Sequence, residues 1–597
     1  MTTNAKTVFL LFLGMSFVQN SNSDNELKLD QALLSVNNYL PERIAAFYVS
    51  EACYKCLPQP LLTVSPASMG APSNTSVAVS SRFALTVTMF AEADAVAPVC
   101  SWRALYGEQG WFLLTVKPIK NTTEVSCTLS VEKDPENGYI PFLVAFACLI
   151  AVALLYFLGL YVSKLHCTRV HCHCLQHKPT SIELNSAESP RPAEEKPKRR
   201  RLLSLDTFRG FSLTIMVFLN CGGGGYWFFE HAAWNGLTIA DLVMPWFVFI
   251  IGTSVALAFH AMMKRGVSRI QLLRKLTWRT VILLLMGLCF LNYGPRDGPL
   301  SWSWARIPGV LQRLGFTYFI LALIETFFCL KDLDRYQFGY WWAPLRDIVL
   351  YWPEWVIMVI LETLWLCLTF LLPVPGCPRG YLGPGGIGDD GKYPNCTGGA
   401  AGYIDKLVLG EDHIYRYPTC KELYKTTQPF DPEGILGTIN SILMAFFGLQ
   451  AGKIILMYRQ QPLSILKRFL NWAVLLGIIS AILTKCTQNE GFIPINKNLW
   501  SLSFVTTLSC FSFVLLGIMF YVIDVKNWWG GQPFIFPGMN SILIYVASSL
   551  LSTYFPFNWE MKFPNSHAEP LFQNLLGTSL WVLVAYLLYR KKFFLKI

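Results

Sequence analysis

Residues Tyr226–Phe249 read YWFFEHAAWNGLTIADLVMPWFVF, which sets Glu230 and His231 at the brink of a hydrophobic run and Asp241 inside it. An ionisable side chain in hydrocarbon is disfavoured by roughly 2.5 to 3.5 kcal/mol even on lenient insertion scales, so Asp241 needs a structural partner on neighbouring helices or a chemical task. His231 by itself reads as an ordinary loop residue. Just upstream, Asn220 precedes Cys221 and the glycines Gly222–Gly225, which let backbones approach one another or a ligand closely.

The rest of the chain shares this apolar character. Of 597 residues 53% are hydrophobic and only 15% charged, with 19 Trp, a composition that excludes a soluble globule and fits a polytopic membrane protein. The net charge of +11 needs no nucleic acid, because cytosolic loops of membrane proteins concentrate Lys and Arg. Residues 1–23 hold Lys6 and the short apolar run Val8–Val18; this reads as a secretory signal and places the sequence that follows on the luminal side. Residues 24–139 carry alternating or β-branched runs at Arg82–Phe90, Trp111–Val116 and Glu124–Val131, expected to form a β-sandwich-like luminal domain.

Asn74, Asn121 and Asn395 each open an N-x-S/T acceptor for glycosylation, in keeping with that side of the membrane. Cys53, Cys56, Cys100 and Cys127, with Cys377, Cys396, Cys420 and Cys486 further on, point to disulfides in an oxidising compartment, their pairing open. A zinc reading of Cys53 and Cys56 is weak, and the compressed His166–Cys174 cluster is unlike a zinc motif, so no metal is expected.

The first span is expected over residues 140–163, followed by a polar, disordered cytosolic linker over 164–207. A further ten-helix region over 208–597 includes a luminal loop at 373–430, giving about eleven transmembrane helices in a mainly α membrane protein. That count leaves the C-terminus in the cytosol, and the basic clusters at Lys196–Arg201, Lys264–Lys275, Arg459–Arg468 and Arg590–Lys592 all fall in loops it assigns to the cytosol. Arg306 and Arg313 flank the start of the fifth span and call for an anionic partner, either a protein carboxylate or a charged substrate. Asn440 and Asn540 read as helix-packing amides. The polar load on spans two to five suggests a pocket lined by those helices. Such a pocket suits an enzyme that joins groups from opposite sides, or a transporter with a midplane site.

The ordered set Leu205–Gly210 (LDTFRG), Asn220, Glu230–Gly236, Asp241–Phe247 and Arg306–Arg313 resembles the transmembrane acyltransferase superfamily, and within it the lysosomal heparan-alpha-glucosaminide N-acetyltransferase family, over the whole chain. The resemblance implies acetyl transfer from cytosolic acetyl-CoA to the terminal non-reducing glucosamine amine of heparan sulfate in the lysosomal lumen, with His231 matching the active-site histidine and Asn220 the asparagine beside it. Acetyl-CoA is then the cosubstrate and lipid the surrounding solvent; a homo-oligomer is left open.

In that frame His231 is the general base, Asn220 a donor to the carbonyl oxygen or a holder of the amine, and Asp241 an orienting group. Arg209, Arg274, Lys275 and Arg279 are expected to hold the CoA phosphates, and Glu230, Trp234, Arg306 and Arg313 to meet the acceptor. Near pH 5 a histidine of ordinary pKa would be only ~3% neutral, so His231 is expected in an apolar aromatic setting of Tyr226, Trp227 and Trp234, without direct full contact to Asp241. Direct transfer is favoured. The alternatives are a ping-pong route through acetyl-His231 and a proton-coupled sugar transporter, against which the lack of an obvious inverted repeat speaks.

Overall fold

The computed structural model describes residues 27–67, 71–91, 98–119, 125–175, 201–292, 302–330 and 345–595, with only the backbone course given for residues 160 and 163–175. The expected signal, most of the linker and the acceptor Asn121 lie outside the described residues.

Among the described residues eight strands build the N-terminal region: β1 (Gln31–Asn38), β2 (Ile44–Ser50), β3 (Gln59–Val64), β4 (Ser73–Ser80), β5 (Leu85–Ala91), β6 (Cys100–Ala104), β7 (Trp111–Pro118) and β8 (Val125–Lys133). They form two four-stranded sheets, in the orders β4-β1-β7-β8 and β3-β2-β5-β6. The period-two alternation works as written. Ala32, Leu34 and Val36 of β1, Leu85, Val87 and Met89 of β5, and Phe112, Leu114 and Val116 of β7 point inward to one apolar cluster fed by both sheets. Cys100–Cys127 ties β6 to β8, and Cys53–Cys56 closes a turn that packs against Cys420, Tyr424 and Phe430 of the loop over 373–430.

The helical region runs α1 (Ile140–Leu175), α2 (Leu203–Asn220), α3 (Ile239–Lys264), α4 (Arg269–Met286), α5 (Val310–Phe328), α6 (Trp352–Leu371), α7 (Gly399–Leu409), α8 (Ile435–Met457), α9 (Pro462–Thr484), α10 (Leu502–Met519), α11 (Ser541–Leu550) and α12 (Ala568–Arg590). Among the described residues eight helices are long and apolar enough to cross a membrane: α1, α3, α5, α6, α8, α9, α10 with its continuation to Val525, and α12. The other three expected spans are helical but depart from a simple crossing. α2 stops at Asn220 instead of running to Phe229, α4 passes into a wider turn at Gly287–Leu291, and the tenth is broken at Asn540 between Ile535–Met539 and α11. α1 continues as helix past Val162 to Leu175, into the stretch read as linker.

Two glycine contacts set the bundle. A Cβ on Gly252 of α3 would lie 1.8 Å from Ala445 O, and one on Gly448 of α8 would lie 1.9 Å from Phe249 O. The two helices therefore cross backbone to backbone, the small-residue packing that association in lipid favours. In the same way Gly210 of α2 meets Phe534 O, and Gly538 meets Asp206 O. α8 is almost wholly enclosed; within it Lys453 is buried and paired with Glu325 of α5 at 3.2 Å and with Glu354 of α6, a charge cluster absent from the sequence reading.

Candidate active site

α2 ends where Gly222, Gly223, Gly224 and Gly225 all take positive φ (117°, 57°, 72° and 74°), a run of left-handed backbone that L side chains avoid. The chain reverses there, and the loop to Thr238 returns His231 to the first turn of α3. Thr238 and Asp241 form a capping box, so the carboxylate that looked costly in the sequence satisfies a helix start. Asp241 is fully buried, and both its oxygens are used. Oδ2 accepts from Ala232 N at 3.2 Å, Thr238 N at 3.1 Å and Thr238 Oγ1 at 2.9 Å, while Oδ1 lies 2.8 Å from His231 Nδ1.

This contact overturns the expectation that Asp241 stands away from the ring. Its reason is local: the cap fixes Oδ2, which turns Oδ1 toward the loop. A carboxylate only accepts, so Nδ1 carries the proton and the neutral ring keeps its lone pair on Nε2. Protein surrounds the ring closely, yet 42% of the side chain stays open to solvent, as in a recess. Burial, then the Lys497 ammonium, together outweigh Asp241 and hold the His231 pKa below its usual value.

Lys497 sits 3.9 Å from Asp241 Oδ1. It arrives on the loop between α9 and α10, which is stitched to the histidine loop by Gly236 N to Ile495 O (2.9 Å), Asn496 Nδ2 to Asn235 Oδ1 (3.0 Å) and Asn498 Nδ2 to Ala233 O (3.4 Å). Next to it, Glu433 is buried; burial opposes its charge, but Arg306, Arg313 and Lys497 prevail and hold it at about 2. The site therefore draws on loops ahead of α8 and α10, and is not confined to spans two to five as the polar load suggested.

Several expected contacts go elsewhere. The aromatic residues do not enclose His231: Tyr226 stacks on His567 at 4.2 Å, Trp227 packs on Phe83, and Trp234 is 1% exposed, packed against Phe430 with Nε1 donating to Leu382 O at 2.9 Å. Trp234 is thus closed to an acceptor. Glu230 is held by Nη1 and Nη2 of Arg82 on the N-terminal region, at 2.7 and 3.0 Å. Arg306 clasps Asp431 (2.6 and 2.8 Å) and Glu433 (2.5 Å), and Arg313 is buried over Trp500 with Nη2 donating to Gly434 O at 3.1 Å. The two arginines thus meet the protein's own carboxylates and a backbone carbonyl in the segment just ahead of α8. The Asn220 side chain, at the end of α2, is exposed and makes no hydrogen bond to another described residue.

Toward the other end of α2 and α3, Arg209 donates to Asp206 (3.2 Å) and Ser254 Oγ (2.7 Å), and Arg201 also binds Asp206, at 2.5 Å. Arg279 lies within electrostatic reach of Arg209, stacks on Tyr318, and leaves a buried Nε without a hydrogen-bond partner among the described residues. Arg201 and Arg209 thus share the Asp206 carboxylate, with Arg279 near Arg209. Arg274 and Lys275 are exposed on α4. Asn440 donates to Trp500 O and Asn540 to Phe593 O, both as packing groups. Cys377 pairs with Cys396, whereas Cys420 and Cys486 are free thiols and not a fourth disulfide, Cys420 being buried and Cys486 exposed. Asn74 and Asn395 are exposed.

Against curated proteins, the chain is 48% identical over 590 residues to heparan-alpha-glucosaminide N-acetyltransferase of Homo sapiens, covering 96% of this chain and 89% of that protein. It is also 48% identical over 590 residues to the protein of the same name from Mus musculus, with the same coverage. No family model matches the chain.

Proposed function

The chain belongs to the heparan-alpha-glucosaminide N-acetyltransferase family and is an acyltransferase, and from this we propose that it moves acetyl from cytosolic acetyl-CoA to the terminal non-reducing alpha-glucosamine amine of heparan sulfate in the lysosomal lumen by direct transfer. The observation that carries the mechanism is the His231–Asp241 pair, at 2.8 Å, in which 42% of the histidine side chain stays open to solvent. The acceptor amine attacks the thioester carbon while Nε2 of His231 takes the amine proton. The tetrahedral intermediate then expels the CoA thiolate, which recovers the proton from the imidazolium, leaving amide and free thiol. Asp241 keeps Nδ1 protonated throughout and balances the transient charge, an arrangement worth typically ~10² to 10⁴ in rate. Asn220 remains the candidate donor to the carbonyl oxygen.

The guanidinium excess around Asp206 supports binding of the CoA phosphates by Arg209, Arg279 and Arg201, with Arg274 and Lys275 as an exposed basic approach. Ser254 and Asp241 are thirteen residues apart on α3, roughly 20 Å of helix, a span the extended pantetheine arm must bridge for its thioester to reach His231. In this reading the N-terminus is luminal, the C-terminus cytosolic, Asn74, Asn121 and Asn395 are glycosylated, and about eleven crossings carry the bundle through the lysosomal membrane.

Two experiments test this. In sealed vesicles given acetyl-CoA outside, CoA release should require a glucosamine-terminated oligosaccharide inside; release without acceptor would favour a transporter or hydrolase. Rapid mixing with labelled acetyl-CoA and no acceptor should leave His231 unlabelled, and stoichiometric label that chases into product would overturn direct transfer.

A further inference from the structure

The charged groups that act on His231 come from three separate places: Asp241 at the start of α3, Glu433 ahead of α8, and Lys497 ahead of α10. One oxygen is shared. Asp241 Oδ1 lies 2.8 Å from His231 Nδ1 and 3.9 Å from Lys497 Nζ. A histidine paired only with a carboxylate is driven toward the imidazolium, which in an acidic lumen would leave the base already protonated. Here the carboxylate faces a second cation, so its charge is not spent on the ring alone. Lys497 is in turn faced by Asp241, Glu433 and Arg313, two carboxylates against one guanidinium, and its side chain is 12% exposed. Asn496 and Asn498 on either side of it are tied to the histidine loop, so the backbone that carries Lys497 is held against that loop.

We infer that Lys497 is the positioning charge that keeps His231 unprotonated, and hence a competent base, in an acidic compartment. This rests on the reading of His231 as the base. Asp241 alone would set the tautomer but raise the proton affinity; Lys497 alone would lower the affinity without orienting the ring. Together on one oxygen they give an oriented, neutral imidazole.

The test compares the purified full chain with Lys497→Met and Lys497→Arg. Diethyl pyrocarbonate carbethoxylates only the neutral imidazole, so its pH dependence at the His231 peptide, read by mass spectrometry, reports the ring's titration without using substrate. Lys497→Met should move the midpoint up by roughly one pH unit, and Lys497→Arg should stay near the wild type. Acetyl transfer in the Met variant should then fall about tenfold more at pH 5 than at pH 7. A midpoint unmoved in Lys497→Met, or moved equally in Lys497→Arg, overturns the inference. A midpoint that moves while the pH profile of transfer does not supports the coupling and instead overturns His231 as the base. Should the Met variant fail to fold, Asp241→Asn with Lys497 intact should titrate below the wild type, and a midpoint at or above it would equally overturn the inference.

Discussion

Asp241 holds the imidazole through one oxygen and the backbone through the other, so its amide isostere separates the two tasks. In Asp241→Asn the side-chain oxygen can still accept from Thr238 N, and the melting temperature should correspond to a loss of no more than about 1 kcal/mol. If the NH₂ group faces Nδ1, however, the ring is turned to the wrong tautomer, and kcat should drop on the order of 10²-fold. A variant that loses stability and keeps kcat would make Asp241 a cap only. Asp241 stood out in the sequence because an ionisable group inside an apolar run is conspicuous, whereas His231, on its own an ordinary loop residue, drew its role from the family resemblance. Lys497 was not, since a lysine at the rim of a span looks like ordinary flanking charge. Trp234 misled for a related reason: nearness in sequence to His231 says nothing about direction, and its indole turns away to Leu382 O.

At the scale of elements, the α3–α8 crossing fixes where the site can form, because Asp241 lies in the first turn of α3 and α8 begins just after Glu433. Gly448→Ala should force the two backbones apart and cost roughly 1 to 3 kcal/mol, seen as a lower melting temperature in detergent. An unchanged melting temperature would mean the helices have slack at that crossing. Long apolar helices such as α6 and α8 were readable from length and hydropathy. The breaks at Asn220 and Asn540 were not, because an apolar window averages over one reversed turn, and the contacts that stabilise the breaks come from far away in the chain: Asn540 Nδ2 reaches Phe593 O at 2.8 Å.

Across the whole molecule the N-terminal sheets are clamped to the bundle beside the histidine loop. Arg82 bridges Asp30 (2.8 Å) and Glu230, the neighbour of His231, while His567 meets Asp30 (3.3 Å), Glu108 (3.4 Å) and Gly224 O (3.0 Å). Burial opposes the charged His567 ring, but its bonds to Asp30, Glu108 and Gly224 outweigh burial and push it up to about 10. For Asp30, burial is likewise outweighed, by His567 and Arg82, and its pKa is lowered. The His567 contribution is therefore complete below its unfolded pKa of about 6.5 and fades as pH rises toward 10, whereas that of Asp30 needs a pH above about 3.8. Docking of the N-terminal region should be firmest between about pH 4 and 6.5, read by limited proteolysis across pH. His567→Gln should flatten the alkaline side, and a profile identical to wild type would remove His567 from the clamp. The clamp was hidden in the sequence because its members lie hundreds of residues apart and none belongs to an apolar run.

In the proposed mechanism a base at the junction of α2 and α3 takes the acceptor's proton. This step is tested most directly by the initial rate of acetyl transfer from acetyl-CoA to a glucosamine-terminated heparan oligosaccharide, measured for His231→Ala purified with a wild-type melting temperature. The rate should fall by ~10² to 10⁴; a rate within about threefold of wild type would contradict the assignment.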